Sequence, residues 1–447
     1  MNALEVRAAL ALALVYVLRM MGLFMVMPVL AVAAMDYPDY SPLLVGLAIG
    51  GYGLTQAALQ IPMGMMSDRW GRKPVILLGL CIFTAGSFIA ASADSMVMMI
   101  AGRILQGAGA IAGAIMALAT DVSRETQRAK VMAVIGIAIG FSFYLAVLVG
   151  PLIAQNWGLS GVFGVTGVLA ICCMPLVKWV VPDVSISASG DTLPHVSEIK
   201  SLFASPQLWR LNVSVMALHM MITLLFVQLP ITLTQFEMTL ESHWTIYLPV
   251  LAVSVIGLIV LMGISRGQTP KSVVITAAAL MMTAFLMLNM QDHHMWVVFA
   301  AVILFFTGFN YLEASLPALV STIAPAGQKG SAMGIYASFQ FFGAFLGGVL
   351  SGVVTDIWTP KTAYLAGAIG ACVWMVILFG LKEVMKLKRL SMQVSFDKVD
   401  PAVLETELHK LEGVHEVVAS REESAVYLKI TKAFDTSAAR ALLAKYA

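Results

Sequence analysis

Apolar residues gather along this chain into runs of about twenty or more, each ended by a short polar or glycine- and proline-containing break. The runs fall near residues 8–34, 43–66, 74–93, 96–119, 130–154 and 159–181, then near 209–234, 244–264, 271–290, 295–320, 330–355 and 361–381. About 20 apolar residues carry an α-helix across a bilayer. Each run therefore predicts one membrane span, twelve in two sets of six, numbered spans 1 to 12 in chain order. Continuous runs exclude a transmembrane barrel, whose segments alternate in hydrophobicity over about ten residues. Residues 182–208, with Ser185, Ser187, Ser189, Gly190, Asp191 and Pro194, read as a polar linker between the sets, and residues 198–203 as a short amphipathic segment lying on the membrane surface.

Beyond Lys382 the period changes. Leu390, Met392, Val394 and Phe396 alternate as in a strand, and residues 400–411 read as a helix with Pro401 near its start. Residues 414–420 form a second strand, Val426, Leu428 and Ile430 mark a third, and residues 437–446 a closing helix. The order βαββα predicts a small α+β ferredoxin-like domain over residues 388–447. The expected fold class is an all-α membrane protein of twelve transmembrane helices plus that domain. Its organisation is a first half at residues 1–181, a cytoplasmic linker at 182–208 and a second half at 209–382. The C-terminal module has no CxxC pair, and His409 and His415 are expected to be solvated. Regulation, dimerisation and a passive appendage all stay open for it.

Composition agrees: of 447 residues 60% are hydrophobic and 12% charged, and the mean hydropathy is +0.88. So much apolar surface cannot be buried in one aqueous core of this size, which makes lipid the solvent. Cys81, Cys172, Cys173 and Cys372 lie inside apolar runs and carry no redox message. The first run holds Arg19 and is too long for a signal-peptide core, so it is expected to be a retained helix.

Lys and Arg set the orientation. With both termini in the cytoplasm, Arg69, Arg72, Lys73, Arg124, Arg128, Lys130, Lys178, Lys200, Arg210, Arg266, Lys271, Lys329, Lys382, Lys386, Lys388 and Arg389 all fall inside, and Lys361 alone outside. The outer loops carry Asp36, Asp39, Asp94, Glu237, Glu241 and Asp292 instead. Residues 115–136 laid over 316–337 align Ala117, Leu118 and Met132 with Ala318, Leu319 and Met333, a faint repeat one six-helix half apart.

The loop after span 2 reads Gly64, Met65, Met66, Ser67, Asp68, Arg69, Trp70, Gly71, Arg72, Lys73. Here the chain resembles the major facilitator superfamily, whose signature in this loop is G-x-x-x-D-(R/K)-x-G-R-(R/K). The resemblance implies that superfamily's fold of two six-helix halves, and a cytoplasmic latch that holds the halves together when the transporter is open outward. Gly64 permits close helix approach, Gly71 suits a tight turn, and Asp68 can accept hydrogen bonds at the N-terminus of span 11 near residues 329–331. Arg72 is expected to pair with Asp121 at the inner end of span 4. Cations that merely set topology would account for Arg69 and Lys73, but not for the glycines or the lone Asp68.

Span 4 carries Arg103, Gln106, Gly107 and Gly109, similar to the superfamily's RxxQGxG motif, in which the arginine has been linked to proton coupling. Span 5 holds Gly150 and Pro151, the centre of its antiporter motif, preceded by Gly136 and Gly140. That match is partial: Ala146 replaces the usual upstream glycine, and Ile153, Ala154 and Gln155 follow the proline where a glycine pair is usual. Phrases such as LRMMGLFMVMPVL from Leu18 and GSAMGIYASFQFFG from Gly330 extend the resemblance over nearly all 447 residues, toward bacterial drug/proton antiporters with a ferredoxin-like cytoplasmic domain.

Inside the spans the charges are Arg19, Arg103 and Glu313, each costing about 2.5 to 3.5 kcal/mol to insert without a partner. Glu313 is expected to be a proton or cation site with Arg19 as its counter-ion, a structural ion pair being the equal alternative. His219 reads as a hydrogen-bonded packing residue that also borders the cavity. Many drug antiporters of the superfamily carry an acid in span 1, where this chain offers Arg19. Tyr52, Gln56, Gln60, Asn310, Tyr311, Tyr336, Phe339 and Gln340, with 29 methionines in the chain, suit hydrophobic substrates of varied shape.

The function expected is proton-coupled efflux of hydrophobic or drug-like small molecules across the bacterial inner membrane. The proton-motive force replaces any cofactor or metal, and the partners are small-molecule substrate, protons and lipid bilayer, with no nucleic acid. No nucleotide-binding loop supports ATP drive and no catalytic constellation supports an enzyme. The alternatives are a proton-coupled nutrient importer on the same fold and a membrane sensor signalling through the C-terminal domain. A monomer is expected, with dimerisation through that domain as the variant.

Overall fold

The computed structural model describes residues 3–123, 125–182, 201–265, 269–290, 294–325, 329–382, 388–394, 399–420, 425–431 and 434–444. Most of the linker, and the first half of the expected surface segment at 198–203, lie outside the described residues, as do Arg124, Lys200, Arg266, Asp292, Lys386 and Phe396; residues 201–203 are helical. The chain forms two compact units, Met1–Lys382 and Glu383–Ala447.

Among the described residues of the first unit, eleven helices are long and apolar enough to cross a membrane. The expected twelve are recovered at Glu125–Pro175, a continuous helical segment in which Gly158 leaves helical geometry at φ 60° and ψ −166°. Glycine enters that region without a Cβ clash, so it marks the boundary between spans 5 and 6. Both limbs run beside span 1: Gly150 lies against the Met25 carbonyl, and Thr166 Oγ1 donates to Gly22 O at 3.0 Å. Span 1 is itself broken, into Ala3–Phe24 and Met27–Ala33, with Pro28 opening the second piece. Span 4 breaks at Gly109 between Met96–Ala108 and Ala112–Asp121.

Starts follow capping chemistry. Ser41 accepts from Leu44 N ahead of span 2 (Pro42–Trp70), and Thr359 accepts from Thr362 N ahead of span 12 (Pro360–Phe379). In each, the cap oxygen satisfies a helix N–H and proline takes a position that needs no donor. Span 3 is Arg72–Ala91, span 7 Pro206–Gln235, span 8 Trp244–Ile264, span 9 Pro270–Asn289, span 10 Met295–Ile323 and span 11 Lys329–Ile357. Exposed Ile256, Ile259 and Val260 on span 8 form an apolar stripe suited to lipid rather than water.

The first six spans meet the last six along spans 2 and 11. A Cβ added to Gly46 would lie 2.2 Å from Gly348 O, and one on Gly53 would lie 2.5 Å from Phe341 O. Only glycine allows such backbone approach. At the other end of the same helices, a Cβ on Gly64 or Gly330 would meet nothing within 4 Å, and one on Gly334 would reach only Ile61, at 4.0 Å. The bundle is therefore closed at the Gly46 end and splayed at the Asp68 end. Met25, Val26, Val29, Ala154 and Phe163 pack with Val227, Ile231 and Leu240 of the second set to seal the closed end. Next to this seal, the Phe143 ring contacts Phe24, Phe226 and Phe306, at centroid separations of 5.1, 5.8 and 6.1 Å.

The second unit has an antiparallel sheet of β1 (Lys388–Gln393), β2 (Val414–Ser420) and β3 (Ala425–Ile430), with β3 central. Leu390 pairs with Leu428 across β1 and β3, and Val417 pairs with Leu428 from the other side. Helices Pro401–His409 and Thr436–Ala444 complete the βαββα order. Leu404, Leu408, Val426, Leu428, Ile430 and Ala439 make its core, and His409 and His415 are exposed.

Candidate functional site

At the splayed end, Gly71 adopts φ +96°, which reverses the chain tightly enough to bring Arg72 back onto span 2. The Arg72 guanidinium bonds the Asp68 carboxylate, donates from Nη1 to Ser67 Oγ at 2.9 Å, and donates from Nε to Asp121 Oδ2 at 2.9 Å. One cation thus ties the ends of spans 2, 3 and 4, and the Arg72–Asp121 pair falls as the sequence suggested. Lys73 Nζ donates to Val181 O at 2.7 Å, while Arg69 is exposed. Asp68 does not lie on the start of span 11. Its oxygen is taken by Arg72 because spans 2 and 11 part at this end.

Arg19 and Glu313 do not meet, which corrects the expected counter-ion pair. Arg19 is 1% exposed and stays within the first six spans, where Nη2 donates to Gly109 O (3.0 Å), Tyr52 Oη (3.2 Å) and Gln56 Oε1 (3.4 Å). Its guanidinium carbon stands 5.5 Å from the Phe83 ring centroid. Tyr52 Oη donates to Gln56 Oε1 at 3.0 Å, and Gln56 Nε2 donates to Gln60 Oε1 at 3.0 Å, so the candidate residues Tyr52, Gln56 and Gln60 form one buried chain. Arg103, 2% exposed, is fully engaged. Nε donates to Ala48 O (3.0 Å), Nη1 to Gln106 Oε1 (2.8 Å) and Nη2 to Ile49 O (3.5 Å), with the Tyr52 ring at 5.1 Å. The glycines of that motif serve contact: a Cβ on Gly107 would strike Tyr52 O and one on Gly109 would strike Gly79 O.

Glu313 instead sits with His219 and Gln340, on spans 10, 7 and 11. His219 Nδ1 lies 3.2 Å from Val215 O, which can only accept, so Nδ1 carries the proton. Nε2 then accepts from Gln340 Nε2 at 2.7 Å, and the same amide nitrogen reaches Glu313 Oε1 at 3.4 Å. Glu313 Oε2 is buried without a hydrogen bond, 3.7 Å from His219 Nε2. His219 is thus hydrogen-bonded, as expected, with Gln340 of span 11 as its side-chain partner. Tyr336 is buried one turn before Gln340, and Tyr311 is buried on span 10. Asn310 Nδ2 donates to Tyr144 Oη (3.2 Å) and Ser254 Oγ (3.4 Å), joining spans 10, 5 and 8.

Sequence reading missed Tyr144, Ser254 and the Phe143 cluster. It also missed the contact of Gly46, Gly50 and Gly53 with Phe341, Phe345 and Gly348, although small residues at i, i+4 and i+7 are a signal of close helix packing. Gly150 approaches span 1, whereas a Cβ added to Gly136 or Gly140 would meet no neighbour within 4 Å.

Comparison with known proteins places this geometry. The family model described as Major Facilitator Superfamily matches residues 12–348 and 270–412. The inner membrane transport protein YajR of Escherichia coli (strain K12) is 39% identical over 430 residues, covering 95% of this chain and 94% of that protein. Among solved structures, a bacterial homologue of the human lysosomal transporter Spinster, in an inward-facing and occupied conformation, superposes with TM-score 0.70 at 14% identity, covering 85% of this chain and 97% of that one. A D-xylose–proton symporter gives TM-score 0.69 at 14% identity, covering 85% and 99%. A chain with this signature loop, this pairing of six spans with six, and a family match over most of its length belongs to the major facilitator superfamily of transporters.

Proposed function

We propose that the protein is a proton-coupled exporter of hydrophobic, drug-like small molecules in the bacterial inner membrane, working by alternating access, with both termini in the cytoplasm. The observation that carries the coupling is the Glu313–Gln340–His219 trio. Neutral His219 accepts from Gln340, so a proton arriving at Nε2 displaces that bond and turns the ring toward the one free oxygen of Glu313, 3.7 Å away. The group can therefore hold a proton in either of two bonded arrangements, at a level of the bundle reached from alternate sides as the halves rock. Lys and Arg asymmetry supports a cytoplasmic setting for the splayed Asp68 end. Likeness to YajR supports the inner-membrane setting, and the aromatic cluster around Phe143 offers adaptable apolar surface for the cargo. A proton crossing 100 mV releases about 2.3 kcal/mol, enough for roughly fifty-fold accumulation by one titrating site.

The test is substrate-induced proton flux in proteoliposomes with an entrapped pH dye, screening hydrophobic cations, neutral drugs, lipophilic anions and sugars. Glu313→Gln is expected to abolish proton flux while binding survives. Proton movement that is unchanged in Glu313→Gln overturns the coupling site, and accumulation of sugars in the direction of the proton overturns export.

A further inference from the structure

Each half ends its last span against a lysine from its third. Lys73 of span 3 donates to Val181 O at 2.7 Å, and Lys271 of span 9 donates to Phe379 O at 2.7 Å. Both bonds close over 108 residues, so the arrangement recurs in the two halves. The first span of each half brings an arginine to the same place. Arg7 Nη2 donates to Trp179 O at 3.2 Å, and the Arg210 guanidinium lies against Gly380, where an added Cβ would stand 2.6 Å from Nε. The last carbonyls of a helix have no N–H of their own helix to accept from, so a cation there serves as a cap. Capping uses one N–H of each lysine and leaves the rest of the charge. A helix end carries roughly half an elementary negative charge, whereas at least two full cations meet at each of these ends. Lys178 adds a third at the end of span 6, with Nζ 5.6 Å from the Trp179 ring. Among the described residues no carboxylate pairs with Arg7, Lys178, Arg210 or Lys271.

Both cationic corners stand at the foot of apolar faces. Ile369, Val373, Val376 and Phe379, 56 to 67% exposed, follow one side of span 12 down to the carbonyl that Lys271 holds. Leu10 and Leu14 of span 1 and Ile171 of span 6 are likewise exposed beyond Arg7. Such faces suit lipid, and exposed Trp179 and Trp209, beside the cations, have the amphipathic ring that settles at headgroup level. We propose that the two corners are binding sites for an anionic phospholipid, one in each half, in the leaflet at the Asp68 end. The phosphate is drawn to the arginine and lysine that share a helix end, and the acyl chains lie along the apolar faces. A free phosphate has the same headgroup chemistry but no use for those faces, which is why lipid is the occupant. Cations already tethered to a carbonyl lose little freedom on binding, unlike exposed Lys130 at the inner end of span 5. Each corner joins spans of a single half, 1, 3 and 6 or 7, 9 and 12, so the lipids stiffen the halves without bridging them. The proposal needs only a chain that spans a membrane and is independent of cargo, direction and proton coupling.

The experiment places the full-length protein in nanodiscs of phosphatidylcholine and phosphatidylglycerol with matched acyl chains, and counts the lipids retained on release by native mass spectrometry. Two phosphatidylglycerol molecules are expected per protein, each enriched over phosphatidylcholine by about fivefold per cation, or roughly thirtyfold for two. Arg210→Gln/Lys271→Gln and Arg7→Gln/Lys178→Gln should each leave one, and the four changes together none. Arg210→Lys/Lys271→Arg, which keeps the charges, should retain both, as should Lys130→Gln, which removes a cation outside the corners. No enrichment in the wild type, or a count unchanged by the fourfold variant, overturns the proposal. A loss in Lys130→Gln equal to that in the corner variants also overturns it, by showing diffuse attraction to surface charge. Displacement of the retained lipid by soluble glycerol phosphate overturns lipid as the occupant and leaves a phosphate site. If Arg210→Gln/Lys271→Gln fails to fold, Arg210→Gln alone decides, since Arg210 bonds only Pro206 O of its own turn. A drop of about fivefold in enrichment then supports the site, and an unchanged value overturns it.

Discussion

Adding one methyl group to span 2 should tilt the conformational equilibrium. In Gly46→Ala the new Cβ would lie 2.2 Å from Gly348 O and 3.1 Å from Gly352 Cα. Ordinary van der Waals contact begins near 3.4 Å, so the helices must part by about 1.2 Å (3.4 − 2.2) at their closed end. Backbone carbonyls cannot rotate aside as a flexible side chain can, and overpacking of this kind costs about 1–3 kcal/mol. Only the state closed at this end bears that cost, whereas the helix-propensity gain of alanine over glycine is common to both states and cancels. The population should therefore move about 5- to 150-fold toward the state open at the Gly46 end. The assay is maleimide labelling in a background lacking Cys81, Cys172, Cys173 and Cys372, with a single cysteine at Val29, buried in the seal, or at Ile61, at the splayed end. Labelling at Val29→Cys should rise and that at Ile61→Cys should fall. Gly64→Ala supplies the opposite sign: its Cβ meets nothing here, so it leaves this state untouched and penalises any state that packs span 2 against span 11 at that end. Unchanged labelling at both positions in a Gly46→Ala protein that melts like wild type would refute the two-ended account.

Other substitutions probe the remaining links. Arg72→Ala leaves Asp68 and Asp121 as unpaired half-buried carboxylates and should lower stability by roughly 1–2 kcal/mol after allowance for solvent screening, measured by thermal unfolding in detergent. Asp121→Asn, which keeps an acceptor for Arg72 Nε, should lose less than half of the stability that Asp121→Ala loses. His219→Gln should slow proton flux and shift its pH profile while leaving ligand binding within a factor of three, because Glu313 keeps Gln340 as a donor. In the second unit, Asp435 receives Ser437 N at 2.9 Å and Ser437 Oγ at 2.6 Å, which hold its carboxyl below the usual carboxylate range. A depressed acid contributes stability above its unfolded pKa and loses it as pH falls through the folded one. Protection at Thr436–Ala444, taken relative to the intrinsic exchange rate at each pH, should therefore fall on acidification below that value in the wild type, and Asp435→Ala should show the lower protection already at neutral pH.

The spans were legible because a bilayer dictates length, and because backbone groups in lipid must be satisfied within each helix. Even the pause between spans 5 and 6 was visible, at the dip that ends in Gly158. Arg72 with Asp121 was readable for a related reason: both sit at helix ends that a short loop forces onto one side of the membrane. Pairings deep in the bundle obey no such rule. Glu313 has an arginine as its obvious partner on charge alone, but which faces of spans 1, 7, 10 and 11 point at one another depends on helix rotation, and that rotation is set by packing. His219, read singly on an apolar helix, gains its meaning only from Gln340 at 2.7 Å.

The Asp68 end illustrates the other limit: on the alternating-access reading proposed above, one sequence encodes two packings and the motif describes only one of them. Gly64 and Asp68 are suited to a helix contact, yet in this conformation the glycine faces open space and the carboxylate is held by Arg72. The same Arg72 that occupies Asp68 also holds Asp121, so releasing Asp68 toward another helix need not leave the cation unpaired. Closing that end therefore exchanges one partner of Asp68 for another instead of stripping it, and opening the Gly46 end exchanges glycine-to-backbone contact for water or cargo. Exchange of partner for partner is the condition for a bound proton or ligand contributing a few kcal/mol to decide which end is open.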